Sequence, residues 1–178
     1  MIWLARHGQT AYNHDRRFQG RGPVPLNDTG REQARELAQL AAQMQWGALW
    51  CSPLERALET ATIVGEAIGL HAVPDPRFAE TDTGDWTDRL FEDVIAEDPH
   101  GFEGFATGRV DFRFPGGESF EEHQQRALAG IDDVRAGPQP SLVVCHGGTM
   151  RLILTHYRRD ETLRAQPLAN ASLVELGP

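Results

Sequence analysis

Four short runs of aliphatic, aromatic and β-branched residues constrain this chain most: IWLA (2–5), ALWC (48–51), LVVC (142–145) and LVEL (173–176). Each is the length of a buried strand, and helical periodicity fills the stretches between them. That alternation predicts an α/β fold, in which strands form one sheet and the intervening helices cover it. The second and third runs end in cysteine. Cys51 and Cys145 each close an apolar run, so two buried free thiols are expected and no disulfide framework.

The helical stretches carry recognisable ends. From Thr29 onward Leu37, Leu40, Ala41 and Met44 recur at three- and four-residue steps, which predicts one buried stripe. Ser52-Pro53-Leu54-Glu55 reads as an N-cap, a proline at the first helical position and a capping-box glutamate, with Leu54, Ala57, Leu58 and Ala61 following at helical spacing. Ser119 and Glu122 repeat the capping-box pattern ahead of Ala127, Leu128 and Ile131. Gly147-Gly148 leads into a last helix, MRLILTHY. Residues 82–118 differ from the rest: acidic at first, then rich in Phe and Gly, weakly periodic, and broken at Pro115-Gly116-Gly117. They are expected to form a lid or insertion within one undivided domain, residues 1–178.

Composition excludes several partners. The chain has 178 residues, 24% of them charged and 40% hydrophobic, with a formal net charge of -9. Those proportions suit a soluble globular domain. A chain this acidic lacks the basic face that nucleic acid or an anionic membrane surface requires, so any anion site has to be a local basic pocket. No run is long and apolar enough for a membrane span, and MIWLARHG has neither a basic n-region nor a long apolar core, so a cytoplasmic location is expected. The sequence leaves the oligomeric state open between monomer and dimer.

The chemistry-bearing residues cluster at strand ends. Arg6-His7-Gly8 stands where the first run stops, and His146-Gly147-Gly148 where LVVC stops. Ligands of open α/β sheets bind beyond the carboxyl ends of the strands, so two imidazoles delivered there can converge on one pocket. Arg56 follows a third strand end and points a cation at the same edge, next to a helix N-terminus with free N–H groups. Taken singly, a His-Gly exit is equally a turn, and Ser-Pro equally a plain cap. Two such exits with two arginines in an acidic chain are harder to explain as structure, because buried arginine is rare without an anionic partner.

At this point the chain resembles the histidine phosphatase superfamily, also called phosphoglycerate mutase-like, over most of its length. Arg6-His7-Gly8-Gln9-Thr10 with Asn13 is similar to the family's signature loop, followed by Phe18-Gln19-Gly20, Pro25-Leu26 and Thr29-Gly30. Ser52-Pro53-Leu54-Glu55-Arg56-Ala57 with Thr60-Ala61, Glu80 with Gly84 and Trp86, Pro115-Gly116-Gly117-Glu118-Ser119 and His146-Gly147-Gly148 fall in the family's order. The resemblance implies a three-layer sandwich with a mostly parallel central sheet and helices on both faces. It also implies a phosphomonoester hydrolase in which His7 is the nucleophile, Arg6, Arg56 and His146 hold the phosphoryl group, and Glu80 is the general acid and base. Thr10, Asn13, Gln19, Gly20 and Gly147 match phosphate-side positions. On the bare sequence Glu80 competes with Asp82, Asp85 and Asp88, and Thr10 and Asn13 read equally as turn or cap residues.

The implied chemistry is locally coherent. Imidazole is nucleophilic only when neutral, and flanking Arg6 and Arg56 disfavour imidazolium while attracting phosphate. A hydrogen bond from the other ring nitrogen of His7 to a carbonyl near Gly8 would fix its tautomer. Fixed donors and guanidiniums can stabilise a loose phosphoryl transition state, so neither metal nor other cofactor is expected. No H-E-x-x-H spacing occurs, and His14, His71, His100, His123 and His156 read as loop or helix-surface residues, which disfavours a metallohydrolase. A Cys145-His146 dyad is excluded because successive strand residues face opposite sides.

Two departures from the family pattern, Pro23 in place of an acidic residue and Thr87-Asp88 in place of a Glu-Gly pair, bear on the substrate, expected to be a small phosphorylated metabolite. A phosphoglycerate mutase and a non-catalytic phospholigand-binding domain are the alternatives. Mutases of the family carry insertions that keep water out, and this chain looks too short for them. Arg89, Arg109 and Arg113, with Phe91, Phe102, Phe105, Phe112 and Phe114, could add a second anion contact and an apolar wall.

Overall fold

The computed structural model describes residues 1–177. The elements run β1 (Ile2–Arg6), α1 (Ala11–Asp15), α2 (Asp28–Ala41), β2 (Ala48–Cys51), α3 (Glu55–Ile68), β3 (Ala72–Pro74), α4 (Phe91–Glu97), α5 (Pro99–Ala106), α6 (Phe120–Ala136), β4 (Ser141–Cys145), α7 (Gly147–Arg158) and β5 (Leu173–Glu175). The strands form one sheet in the order β3-β2-β4-β1-β5. All pairings are parallel except β1 with β5, where Leu4 faces Val174 in an antiparallel edge. All five β4 residues are buried, as expected of a central strand covered on both faces.

Strand alternation divides the core into two layers. Ile2, Leu4, Val143 and Cys145 pack one face against Ile131 and Val134 of α6 and Met150 and Ile153 of α7. Ala5, Leu49, Leu142 and Val144 pack the other face against Leu37 and Ala41 of α2 and Ala61 and Val64 of α3. Helices on both faces of a mostly parallel sheet make the three-layer sandwich. No helix of the described residues is long and apolar enough to cross a membrane.

Several local expectations need correction. The buried stripe of α2 is Gly30, Ala34, Leu37, Ala38 and Ala41, whereas Leu40 is 52% exposed. β3 has no counterpart in the expected strands, since three residues ending in proline carry too little periodicity to mark an edge strand. Ser52 does not cap α3: that helix starts at Glu55 after Leu54 and has no side-chain cap. Proline at 53 holds the residue before it extended, which keeps Ser52 out of the helix and frees its hydroxyl for another partner. The capping box of Ser119 and Glu122 on α6 forms as read.

Residues 82–118 contain more structure than their weak periodicity conveys. A 3-10 turn at Gly84–Trp86 precedes the short helices α4 and α5. Trp86, Phe112, Phe114 and Phe120 join Phe18 and Leu152 in a third apolar cluster. That cluster borders a cavity above the sheet.

Candidate active site

β1 and β4 are neighbours, and their parallel register places Arg6 beside Cys145. Each strand then turns out of the sheet, and the N–H of His7 donates to the carbonyl of Cys145 at 3.0 Å. The imidazoles of His7 and His146 therefore meet, with ring centroids 5.1 Å apart and planes at 60°. Both side chains are buried.

The loop after β1 is held from several sides. Gly8 N–H donates to Thr60 Oγ1 at 3.1 Å, and that hydroxyl donates to the carbonyl of Arg56 at 2.7 Å, which ties the loop to the start of α3. A Cβ on Gly8 would lie 2.2 Å from the carbonyl oxygen of Gly30, so only glycine lets the loop rest on α2. Asn170 Nδ2 donates to the His7 carbonyl at 3.1 Å.

His7 Nδ1 lies 2.6 Å from the carbonyl oxygen of Gly8. A carbonyl can only accept, so Nδ1 carries the proton and Nε2 presents its lone pair. Burial, and then the positive charges of Arg56 and Arg6, hold the pKa of His7 well below the usual histidine range. Burial and Arg56 do the same to His146. Both rings are neutral near pH 7.

Arg56 is 1% exposed and donates to the carbonyls of Gly20 at 2.8 Å and Gly22 at 3.2 Å. Burial pulls its pKa down to about 10, partly opposed by Glu80, so it stays cationic at neutral pH. Arg6 is anchored by the carbonyl of Leu168. The Nε atoms of both arginines and Nδ1 of His146 are buried without partners among the described residues. Unpaired buried polar atoms are costly, and these three belong to the side chains expected to hold an anion.

Glu80 enters from the segment after β3. Its Oε1 accepts from the Thr81 N–H at 2.9 Å and its Oε2 from the Gly148 N–H at 3.4 Å. Arg126 of α6 fixes the backbone behind it, donating to the carbonyls of Ala79 at 2.8 Å and Glu80 at 3.0 Å while pairing with Glu118 at 2.7 Å.

A cavity of about 540 Å³ opens here, and Arg6, His7, Arg56, Glu80, Gly147 and Gly148 are among the residues that line it. Asn13, Gln19 and Gly20 also line it. Thr10 does not: fully buried, it caps α1 and donates its hydroxyl to Gln19 Oε1 at 2.9 Å. His146 is not among the lining residues either and stands fully buried beside His7.

Three expectations change. His123 is fully buried, not a surface residue, with Nδ1 2.7 Å from Thr81 Oγ1 and Nε2 3.0 Å from Thr149 Oγ1. Arg89, Arg109 and Arg113 are taken up by Glu97, Asp111 and Glu122. Beyond Arg6 and Arg56, the cations that line the cavity are instead Arg16, Arg17 and Arg151. Arg151 sits on α7 one turn beyond Gly147, and the Glu80 charge acts on it. Its position after His146-Gly147-Gly148 on a helix leaving the site was the signal available in the sequence. Phe91, Phe102, Phe105 and Phe114 do form the apolar wall, whereas Phe112 packs behind it.

Two neutral imidazoles, a buried and a half-buried arginine and a carboxylate at the carboxyl edge of a mostly parallel sheet define a phosphoryl-handling α/β protein. The chain belongs to the histidine phosphatase superfamily (branch 1), whose family profile matches residues 2–178. It is 34% identical over 148 residues to a probable phosphoglycerate mutase, GpmB, of Enterobacter sp. (strain 638), covering 82% of this chain and 69% of that protein. It is 33% identical over 175 residues to an uncharacterized phosphatase, PhoE, of Bacillus subtilis (strain 168), covering 97% of this chain and 85% of that protein. A solved mycobacterial glucosyl-3-phosphoglycerate phosphatase, in complex with VO3, matches with a TM-score of 0.88 at 28% identity, covering 97% of this chain and 90% of that one.

Proposed function

We propose that this protein hydrolyses phosphomonoesters of small metabolites through a phosphohistidine on His7. The observation that carries this reading is the 2.6 Å contact of His7 Nδ1 with the Gly8 carbonyl, which leaves Nε2 unprotonated beside Arg6 and Arg56. Nε2 attacks phosphorus, the ester P–O bond breaks, and Glu80 gives its proton to the departing alkoxide. The Glu80 carboxylate then takes a proton from water, the resulting hydroxide oxygen bonds to phosphorus, and the P–N bond breaks to release phosphate. Arg6, Arg56 and His146 bear the charge that builds on the phosphoryl oxygens, a task fixed cations and donors perform without a metal.

The alcohol portion of the substrate lies against Phe91, Phe102 and Phe105, which line the same cavity as His7. Asn13, Gln19, Gly20 and Gly147 line the same cavity and are assigned to the phosphoryl group by the family resemblance, with Thr10 supporting Gln19 from behind. A cytoplasmic setting fits two buried cysteines left unpaired.

The test is a panel of phosphomonoesters assayed with wild type and His7→Ala, with an alkaline detergent quench to trap labelled phosphoenzyme. Hydrolysis with a trapped, acid-labile and base-stable phosphoenzyme, both lost in His7→Ala, is expected. Near-normal turnover by His7→Ala removes the mechanism. Sustained isomerisation of phosphoglycerate without phosphate release makes the protein a mutase, and tight phosphate binding without turnover makes it a binding domain.

A further inference from the structure

Ser52 is fully buried at the end of β2, where its N–H donates to the Val144 carbonyl at 2.9 Å and sets it alongside the end of β4. Its Oγ lies 2.7 Å from His146 Nε2 and accepts from the Leu54 N–H at 3.2 Å. The backbone N–H can only donate, so the hydroxyl proton has to go elsewhere. Nε2 is the acceptor within reach.

The opposite arrangement, with Nε2–H donating to Ser52, leaves the hydroxyl proton without an acceptor and turns Nδ1, buried and unpartnered in either case, into a bare lone pair. A lone pair there would also repel an incoming phosphoryl dianion.

We propose that Ser52 is a positioning residue for phosphoryl transfer, donating its hydroxyl proton to His146 Nε2 and thereby holding His146 as the Nδ1–H tautomer, a donor to the phosphoryl oxygens. The two histidines then carry the same tautomer for opposite purposes. A carbonyl acceptor on Nδ1 frees Nε2 of His7 to attack, and a hydroxyl donor on Nε2 keeps the Nδ1–H of His146 for the oxyanion. The catalytic half of this inference rests on the phosphatase reading of the site; the tautomer does not.

Long-range ¹H–¹⁵N correlation spectra of the labelled protein read the tautomer directly, with His146→Gln assigning the signals. A pyrrole-type Nδ1 and pyridine-type Nε2 are expected in wild type and in Ser52→Thr, and mixed tautomers in Ser52→Ala. Removing an oxyanion donor outright costs about 10²–10³-fold in kcat. Loosening one should lower kcat of Ser52→Ala by roughly 10–100-fold, with Ser52→Thr recovering most of it. A pyridine-type Nδ1 in wild type overturns the inference whether or not Ser52→Ala folds. So does a folded Ser52→Ala that turns over like wild type. Absent hydrolysis with an intact Nδ1–H signal supports the hold of Ser52 on the tautomer and overturns the phosphatase reading instead.

Discussion

His7 and His146 stand with ring centroids 5.1 Å apart at the ends of adjacent parallel strands, both buried and both flanked by Arg56. Neither ring can take up a second proton cheaply in the folded chain, and the fully buried His123 shares that property because burial and then Arg126 lower its pKa.

Acid stability follows from this. Unfolded histidine titrates near pH 6.5. With the folded values of His7, His123 and His146 below that, the unfolded chain binds more protons as pH falls, so stability is full above about pH 6.5 and declines below it. Each histidine contributes a slope of up to about 1.4 kcal/mol per pH unit. Urea unfolding at several pH values between 7.5 and 5 should show the decline, and His123→Gln should flatten it. An unchanged slope in that variant counts against the assignment.

Gly148 and Glu80 make a second point of leverage. A Cβ on Gly148 would lie 2.4 Å from Glu80 Oε1, a clash with the tip of a side chain rather than with backbone. Gly148→Ala should therefore fold normally, with Tm close to wild type, while displacing the carboxylate. General acid-base catalysis contributes about 10²–10⁴-fold, and turnover of esters with poor leaving groups should drop within that range. Esters with activated aryl leaving groups should lose less in the first step. Equal losses for both classes in burst-phase kinetics would place Glu80 elsewhere in the mechanism.

Arg56 spans the carbonyls of Gly20 and Gly22 with its two terminal nitrogens while its Nε stays unpartnered. Lysine has a single point charge and cannot hold the loop and a phosphoryl oxygen together. Arg56→Lys should lower kcat/KM by roughly 10²-fold and weaken competitive inhibition by inorganic phosphate. An unchanged inhibition constant for phosphate would show that the guanidinium serves the loop alone.

Phe102 is half-buried, with ring centroids 5.7 Å from Phe91 and 5.6 Å from Phe105, and it lines the cavity. Phe102→Ala should raise KM for naphthyl phosphate about 10-fold, as expected for losing some 50–60 Å² of apolar contact at roughly 25 cal/mol per Å². KM for glycerol phosphate should change little. A parallel rise for both esters would mean that the ring shapes the cavity rather than contacting substrate.

Four of the five strands, the main flanking helices and the meeting of residues 6, 7, 56 and 146 were legible in the sequence because they depend on local pattern. Short apolar runs mark strands, their alternation with helical periodicity fixes the layers, and a residue just past a parallel strand is delivered to one edge of the sheet. Other features depend on neighbours remote in the chain. Ser52 carries every local sign of a helix cap, yet its hydroxyl is claimed by His146, 94 residues away. His123 reads as a helix-surface residue until α6 packs it between Thr81 and Thr149. The arginines of residues 82–118 pair with nearby acids, and the cavity's cations beyond Arg6 and Arg56 are Arg16 and Arg17, just after α1, and Arg151 of α7. Composition and periodicity encode which face of an element is apolar; which polar group finds a partner depends on long-range packing, and only the tertiary structure decides it.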